Sequence, residues 1–337
     1  MNSPFPKQKA SVRSLAEATG LSVATISRVL NNADNVSDKT RERVLSALKE
    51  HGYVMNSAAR ALSTRRTRTI GAVVPTLAYS IFAKFLNTLE SKLAELGYAL
   101  VVATSGGDLE IEEKRAKELL DLGTEGLILT GSNHNDALLQ MMQERAIPFI
   151  FTSVHDTEEG FPSIGYDNST LAKTAIQYLY TMGHHNIAVV HGDINTNDRV
   201  ALRIKGVEEK AKQLGITVSY IQVSLDVAGG VVAAKEYMKS NTSASACLCL
   251  SDILALGMIF EFNRCQLTVP DDVSLMGFDD FDWAEHCFPA LTTIGLPTVL
   301  MGEKTAQAMG RCLDDKQNIS NIQLEARIIE RDSVKKR

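Results

Sequence analysis

Three pairs of adjacent residues carry side chains capable of acid–base or metal chemistry, namely Asp271–Asp272, Asp279–Asp280 and His184–His185. Adjacent residues of a strand point to opposite faces of a sheet, so neither aspartate pair predicts a shared proton-transfer site. The histidines lie in a turn-like MGHHN segment without a third ligand, which favours a loop role over a metal site. Phosphate-binding, dinucleotide-binding and nucleophile-elbow motifs are absent from the sequence. We therefore expect a protein that is not an enzyme and that uses no metal or cofactor.

A different chemistry is indicated by residues 21–32, which read LSVATISRVLNN. Ile26, Val29 and Leu30 recur at the spacing that places side chains on one face of an α-helix. The other positions carry small residues, hydroxyls and one cation, namely Ser22, Val23, Ala24, Thr25, Ser27 and Arg28. Such a face allows close approach to another surface and offers hydrogen bonds to it, although a solvated helix face has the same composition.

Three helices are predicted in the first 55 residues, and they would position this face. The first covers about 12–19 and ends at Gly20, whose backbone freedom suits a tight turn. Ser22 is a suitable N-cap for the second helix and Ser37 for the third, which ends near Gly52. Two short helices joined by a glycine-containing turn form a helix-turn-helix.

Charge is divided unequally along the chain. Residues 1–68 contain twelve Lys and Arg against five Asp and Glu, whereas the remainder contains 23 against 35. Ordinary surface charge gives a milder asymmetry. A basic head on an acidic body predicts a polyanion-binding module joined to a domain with another task.

From residue 69 onward, apolar runs alternate with amphipathic segments. Nine strands are predicted, near 69–75, 98–105, 125–131, 148–153, 163–167, 186–192, 246–251, 273–280 and 291–295. Helical patterns separate most of them, an alternation typical of α/β folds with doubly wound parallel sheets. Nine strands suit two such domains better than one.

Targeting and covalent features narrow the class of protein. The basic N-terminal residues are not followed by an apolar segment, and no apolar run is long enough for a membrane helix. We therefore expect a cytoplasmic protein. The five cysteines are an odd number without a CxxC pair, which predicts neither a disulfide framework nor a zinc site.

An ordered set of segments along nearly the whole chain carries a family resemblance. The segments are SVRSLAEATGLSVATISRVLNN, VSDKTRERVLSALKEHGYVMNSAARALSTRRTRTIGAVVP, GLILTG, YDN, MGHHNIAVVHG, RIKG, VPDDVSLMGFDDFDWAEHCFPALTTI and RIIERDS. Together they closely resemble LacI/GalR-type bacterial transcription regulators. The resemblance implies a homodimer that binds a pseudo-palindromic operator in double-stranded DNA.

The same resemblance implies a division of the chain into three parts. These are an all-α helix-turn-helix head at 1–55, a hinge helix and linker at 56–68, and an effector-binding and dimerisation core at 69–337. The core would be similar to periplasmic sugar-binding proteins, with one subdomain at about 69–165 plus 296–322 and the other at about 166–295 plus 323–337. An effector in the cleft would switch operator affinity, and release of the operator is favoured over co-repression.

Particular residues of the head match the DNA-contacting positions of this family. Val23 and Ala24 would contact thymine methyls, and Arg28 would pair with guanine. The hydroxyls suited to phosphate contacts are Ser22, Thr25 and Ser27. The hinge residues expected to line the minor groove are Asn56, Ala59, Arg60 and Leu62. Leu62 would be a wedge between base steps, with packing against the body as its alternative.

Seven core residues form the expected effector site: Ile81, Phe82, Arg203, Ser251, Asp252, Asp279 and Trp283. Arg203 and Asp279 would bracket a polyol, or Arg203 would clamp an acid, so a sugar or sugar acid is the expected effector. Ser251 stands where many members have Asn, and Asp252 is expected to serve mainly as a helix N-cap. Trp283 would either stack on a sugar ring or lie at the surface.

A solute-binding protein of a transport system is the alternative function, because it shares the architecture of the body. The basic head and the missing secretory signal oppose it.

Overall fold

The fold is described from a computed structural model. It describes residues 11–30, 36–53, 61, 66–155, 157, 160–240 and 243–337. The chain forms two compact units, Met1–Thr67 and Arg68–Arg337.

The first unit contains the three predicted helices of the head. They are α1 (Val12–Thr19), α2 (Val23–Leu30) and α3 (Asp38–Glu50). Gly20 has a φ of 61° and ends α1, because a left-handed backbone is easily adopted by glycine. Ser22 Oγ accepts a hydrogen bond from the Thr25 amide at 3.1 Å, and Ser37 Oγ accepts one from the Thr40 amide at 3.3 Å. Both predicted N-caps are therefore confirmed.

The inward faces of these helices form one small core. Its buried members are Leu15, Ile26, Val29, Val44 and Ala47. Ile26 and Val29 are the apolar residues of α2 whose spacing predicted the helix, and α2 therefore turns its other face away from this core.

The second unit alternates strands and helices. Its described strands are β1 (Thr69–Val74), β2 (Ala99–Thr104), β3 (Leu127–Thr130), β4 (Phe149–Thr152), β5 (Ser163–Gly165), β6 (Asn186–His191), β7 (Thr217–Gln222), β8 (Ala246–Cys249), β9 (Ser274–Asp279), β10 (Thr292–Gly295), β11 (Ile322–Gln323) and β12 (Arg327–Ile329). Its described helices are α4 (Ser80–Glu95), α5 (Leu109–Asp121), α6 (Asp136–Glu144), α7 (Asn168–Thr181), α8 (Asp198–Leu214), α9 (Val227–Lys239), α10 (Asp252–Arg264) and α11 (Thr298–Asp315).

Two six-stranded sheets are formed by the described strands. Their orders are β11-β5-β4-β3-β1-β2 and β12-β10-β9-β8-β6-β7. Every described strand pair is parallel except β10 with β12. The chain passes from one sheet to the other after β5, after β10 and after β11 in the described part of the chain. The predicted α/β class with doubly wound parallel sheets is confirmed.

All nine predicted strands are present, and β7, β11 and β12 were missed. β7 is an edge strand that shows only Ile221 fully buried among its six residues, so it lacks the apolar run of a central strand. β11 and β12 have two and three residues, too few to give a pattern. Within the described residues, no helix has the length and apolar character that crossing a membrane requires.

Candidate functional site

The residues of the head predicted to contact DNA lie on or beside α2. Ser22, Val23, Ala24 and Arg28 are exposed, whereas Thr25 and Ser27 are half-buried. The hydroxyls of Ser22 and Thr25 lie 2.9 Å apart and share a hydrogen bond. Small side chains and one long cation thus share a solvent-facing surface, and two hydroxyls mark its N-terminal end. Asn56, Ala59, Arg60 and Leu62, the predicted hinge contacts, lie outside the described residues.

A cavity of about 780 Å³ lies between the two sheets of the second unit. It is lined by segments that follow β1, β2, β4 and β5 of one sheet and β6 to β9 of the other. Ligands of parallel α/β sheets bind at the carboxyl ends of strands, which is where these segments begin. Five of the seven predicted effector residues line the cavity: Ile81, Phe82, Arg203, Ser251 and Asp279.

Arg203 projects from α8 and is held by several protein groups. Its Nε donates to Asn168 Oδ1 at 2.9 Å, and its Nη1 donates to the Leu250 carbonyl at 2.7 Å. Nη1 also lies 3.5 Å from Asp279 Oδ1, and the guanidinium carbon sits 3.8 Å from the centre of the Phe278 ring. Ionic, polar and aromatic contacts therefore fix the guanidinium in place.

Asp279 ends β9 in an unusual backbone conformation, with a φ of 122°. Non-glycine residues rarely occupy this region, and such strain is often retained at binding sites. Its Oδ2 accepts a hydrogen bond from Ser251 Oγ at 2.6 Å. Burial raises the pKa of Asp279 above its ordinary value, although Arg203 and Ser251 act in the opposite direction.

Asp252 and Trp283 do not line the cavity. Asp252 is fully buried, and it accepts hydrogen bonds from Thr293 Oγ1 at 2.7 Å and the Phe281 amide at 2.9 Å. The expectation that Asp252 is an N-cap is wrong, because Ser251 occupies that position and Asp252 is the first residue of α10. Burial, followed by the neighbouring Asp279 charge, raises the pKa of Asp252 to about 7. Trp283 is half-buried, its ring perpendicular to that of Phe281, which does line the cavity.

A cross-cleft clasp at Asp198 was missed by the sequence analysis. Asp198 Oδ2 accepts hydrogen bonds from the Ser132 amide at 2.5 Å, the Ser132 hydroxyl at 3.0 Å and the Asn133 amide at 3.2 Å. Arg199 Nη1 lies 2.6 Å from Asp198 Oδ1 and donates to the Thr130 carbonyl at 3.3 Å. Burial raises the pKa of Asp198, but Arg199 and the three donors outweigh it and hold the pKa below its ordinary value.

Three further contacts join the subdomains across the cleft. The Tyr79 hydroxyl donates to the Leu225 carbonyl, and Lys84 Nζ lies 2.9 Å from Asp282 Oδ1. Asn168 connects the cavity to the other sheet, because its Nδ2 donates to the Ser153 carbonyl at 2.9 Å. In the sequence, these residues are marked only by their position just after a strand or at the start of a helix. Such a position does not identify a contact partner that is distant in the sequence.

Comparison with known proteins places both units of the chain in one family. Residues 11–56 match the family described as bacterial regulatory proteins, lacI family. Residues 67–332 match the family described as periplasmic binding proteins and sugar binding domain of LacI family. The transcriptional regulator CelR of Thermobifida fusca is 31% identical, over 97% of this chain and 99% of its own.

Solved structures extend the similarity. A transcriptional regulator of the LacI family from Silicibacter pomeroyi is 25% identical with a TM-score of 0.85, over 97% of this chain and 99% of that one. A complex of the regulator CelR with cellobiose is 29% identical with a TM-score of 0.69, over 96% of this chain and 100% of that one. With its helix-turn-helix head and its body of the sugar-binding type, this chain belongs to the LacI family of bacterial transcriptional regulators.

Proposed function

We propose that this protein is a repressor of carbohydrate-utilisation genes and that a small sugar or sugar acid, bound in the cleft, switches its affinity for operator DNA. The observation that carries this proposal is the cavity of about 780 Å³, with Arg203 and Asp279 fixed in its wall. Its volume suits a small ligand, since such sites measure roughly 300–1,000 Å³. The related CelR structure holds cellobiose, which supports a carbohydrate as the ligand.

Recognition of DNA is assigned to the exposed face of α2. Val23 and Ala24 are small enough to let the helix enter the major groove and contact thymine methyl groups. Arg28 is exposed and long enough to donate two hydrogen bonds to one guanine. Ser22, Thr25 and Ser27 contact phosphates, which fixes the position of the helix on the duplex.

The protein acts as a homodimer in this proposal. One head reads half of the operator, and the two-fold axis of the dimer matches the pseudo-palindrome. Residues 56–68 form paired hinge helices in the minor groove. Asn56, Ala59 and Arg60 line that groove, and Leu62 separates two base steps and bends the duplex.

The cleft supplies the switch. Ile81 and Phe82 cover the effector from one subdomain, while Arg203, Ser251 and Asp279 hold its polar groups from the other. An effector that binds the closed cleft more tightly stabilises the Asp198 clasp and rotates the subdomains. That rotation changes the spacing of the paired hinge helices and releases the operator.

Binding of selected operator fragments at increasing salt concentration tests this proposal. The full-length protein is first used to select duplexes from random DNA, and its affinity for them is then measured by fluorescence anisotropy. Affinity should fall steeply as salt rises, because each phosphate contact releases counterions. A solute-binding protein would retain no DNA at any salt concentration, and that result would reject the proposal.

A further inference from the structure

The charges that line the effector cavity balance one another. Its described lining residues include four charged side chains: Asp193, Arg199, Arg203 and Asp279. Each arginine already has a carboxylate partner, since Arg203 lies 3.5 Å from Asp279 and Arg199 lies 2.6 Å from Asp198. No lysine belongs to the lining that the structure describes. The cavity therefore offers an incoming anion no positive charge that is still uncompensated.

The hydrogen bonds of Arg203 also restrict what it can bind. A guanidinium clamps a carboxylate or phosphate through two parallel N–H groups on neighbouring nitrogens. Its Nε is committed to Asn168 Oδ1, and its Nη1 to the Leu250 carbonyl and Asp279 Oδ1. Each pair of neighbouring nitrogens in the guanidinium therefore contains one nitrogen whose donor is already used. The two N–H groups of Nη2 remain, and they suit single hydrogen bonds to hydroxyl oxygens.

Arg203 cannot readily leave these partners to meet an anion. The side chain is buried, and it stacks on the Phe278 ring at 3.8 Å. Its departure would leave the Asp279 carboxylate buried without a cation, which is costly in a protein interior. An anionic ligand beside Arg203 would also lie close to Asp279, and like charges at short range repel strongly where water is excluded.

A sugar hydroxyl meets both groups without conflict. It accepts a hydrogen bond from Arg203 Nη2 and donates one to a free lone pair of the Asp279 carboxylate, whose oxygens each accept more than one. A ligand carboxylate only accepts, so it cannot satisfy Asp279. Phe82 and Phe281 add aromatic surface to the lining, which suits the apolar faces of a sugar ring.

We propose that this cleft selects an uncharged polyhydroxyl effector and rejects sugar acids and sugar phosphates of similar size. The inference rests on the proposed function and narrows its ligand class. The proposed site differs from a general sugar site because its preference for uncharged ligands arises from the carboxylate partners of the two arginines.

Calorimetric titration of the full-length protein with matched ligands tests the inference. The sets are cellobiose with cellobionate, glucose with glucuronate and glucose 6-phosphate, and galactose with galacturonate. In each set that binds, the neutral sugar should bind at least about tenfold more tightly than its anionic counterpart, the size of one ordinary like-charge interaction.

Two variants with the same change of charge sharpen the test. Asp279→Asn leaves Arg203 without its carboxylate, so the ratio of neutral to anionic affinity should decrease at least about threefold. Asp271→Asn removes an exposed carboxylate that does not line the cavity, and the ratio should stay unchanged. If Asp279→Asn does not fold, the ratios of the unmodified protein still decide.

The outcomes separate the two proposals. An anionic ligand that binds more tightly than its neutral partner and also changes operator affinity would overturn the inference and leave the proposed function intact. If neither neutral nor anionic carbohydrates bind, the proposed function fails and the inference fails with it.

Discussion

Arg28 on α2 and Arg203 in the cleft are both expected to meet a ligand, yet their surroundings differ in every respect. Arg28 is exposed on a helix of eight residues. Arg203 is 5% exposed and contacts Asn168, Leu250 and Asp279. Arg28 is expected to obtain its partners from outside the protein, whereas Arg203 already has partners that also stabilise the fold. Preorganisation lowers the cost of ordering a side chain on binding, and it restricts which ligands fit.

The largest expected difference between the two regions is in stability. Arg203→Ala leaves the Asp279 carboxylate buried without its cation, and the free energy of unfolding of the body should decrease by about 3–5 kcal/mol. Arg28→Ala removes an exposed side chain and should change stability by less than about 0.5 kcal/mol. Urea titrations of both variants measure this contrast. Similarly small decreases in the free energy of unfolding for both variants would show that Arg203 does not stabilise the fold.

The next effect concerns discrimination between DNA sequences. Arg28→Ala should cost about 1–3 kcal/mol of operator binding, with the loss concentrated at one base pair. Arg13→Ala provides the control, because Arg13 is an exposed arginine on the neighbouring helix α1. Anisotropy with single-base operator variants gives both values. Equal losses on operator and random DNA for Arg28→Ala would contradict its assignment to a base.

A smaller effect is expected at the clasp. Asp198→Ala removes the acceptor of three hydrogen bonds from Ser132 and Asn133, so effector affinity should fall about tenfold while operator affinity without effector stays the same. Lys84→Met breaks the exposed pair with Asp282, and exposed pairs contribute little. Calorimetry on the two variants compares a partly buried contact with an exposed one. Equal changes in effector affinity for the two variants would contradict the role assigned to Asp198.

A slope of stability with pH is expected at Asp252. The pKa of Asp252 rises on folding from its ordinary value of 3.8 to about 7. The folded state thus binds a proton that the unfolded state releases, and the contribution of Asp252 to stability is lost as pH rises from about 4 to about 7. Asp252→Asn should remove this decline. Urea midpoints of both proteins across this range check it, and parallel curves would refute it.

The sequence predicted the head more completely than the cleft. The spacing of Ile26 and Val29 identifies the inner face of α2, and Gly20 and Ser22 mark the turn before it. All of these signals lie within ten residues of one another, so a local pattern is sufficient. The central strands were also predictable, because parallel strands buried on both faces form continuous apolar runs.

The cleft depends on contacts between distant parts of the chain. Asp198 contacts Ser132, which lies 66 positions earlier in the sequence. Arg203 contacts Asp279, which lies 76 positions later. Family resemblance identified Arg203 and Asp279, but no local pattern distinguishes Asp198 from an ordinary helix-starting aspartate. For Asp252 a local pattern was misleading. Its position at a helix start predicted an N-cap, whereas its side chain is buried in the core.

The measurement that tests the account most directly is operator affinity of the full-length protein with and without a saturating neutral sugar that binds by calorimetry. We predict that the sugar weakens operator binding by some factor and that the operator weakens sugar binding by the same factor, as linkage requires. A sugar that fills the cleft and leaves operator affinity unchanged would contradict it.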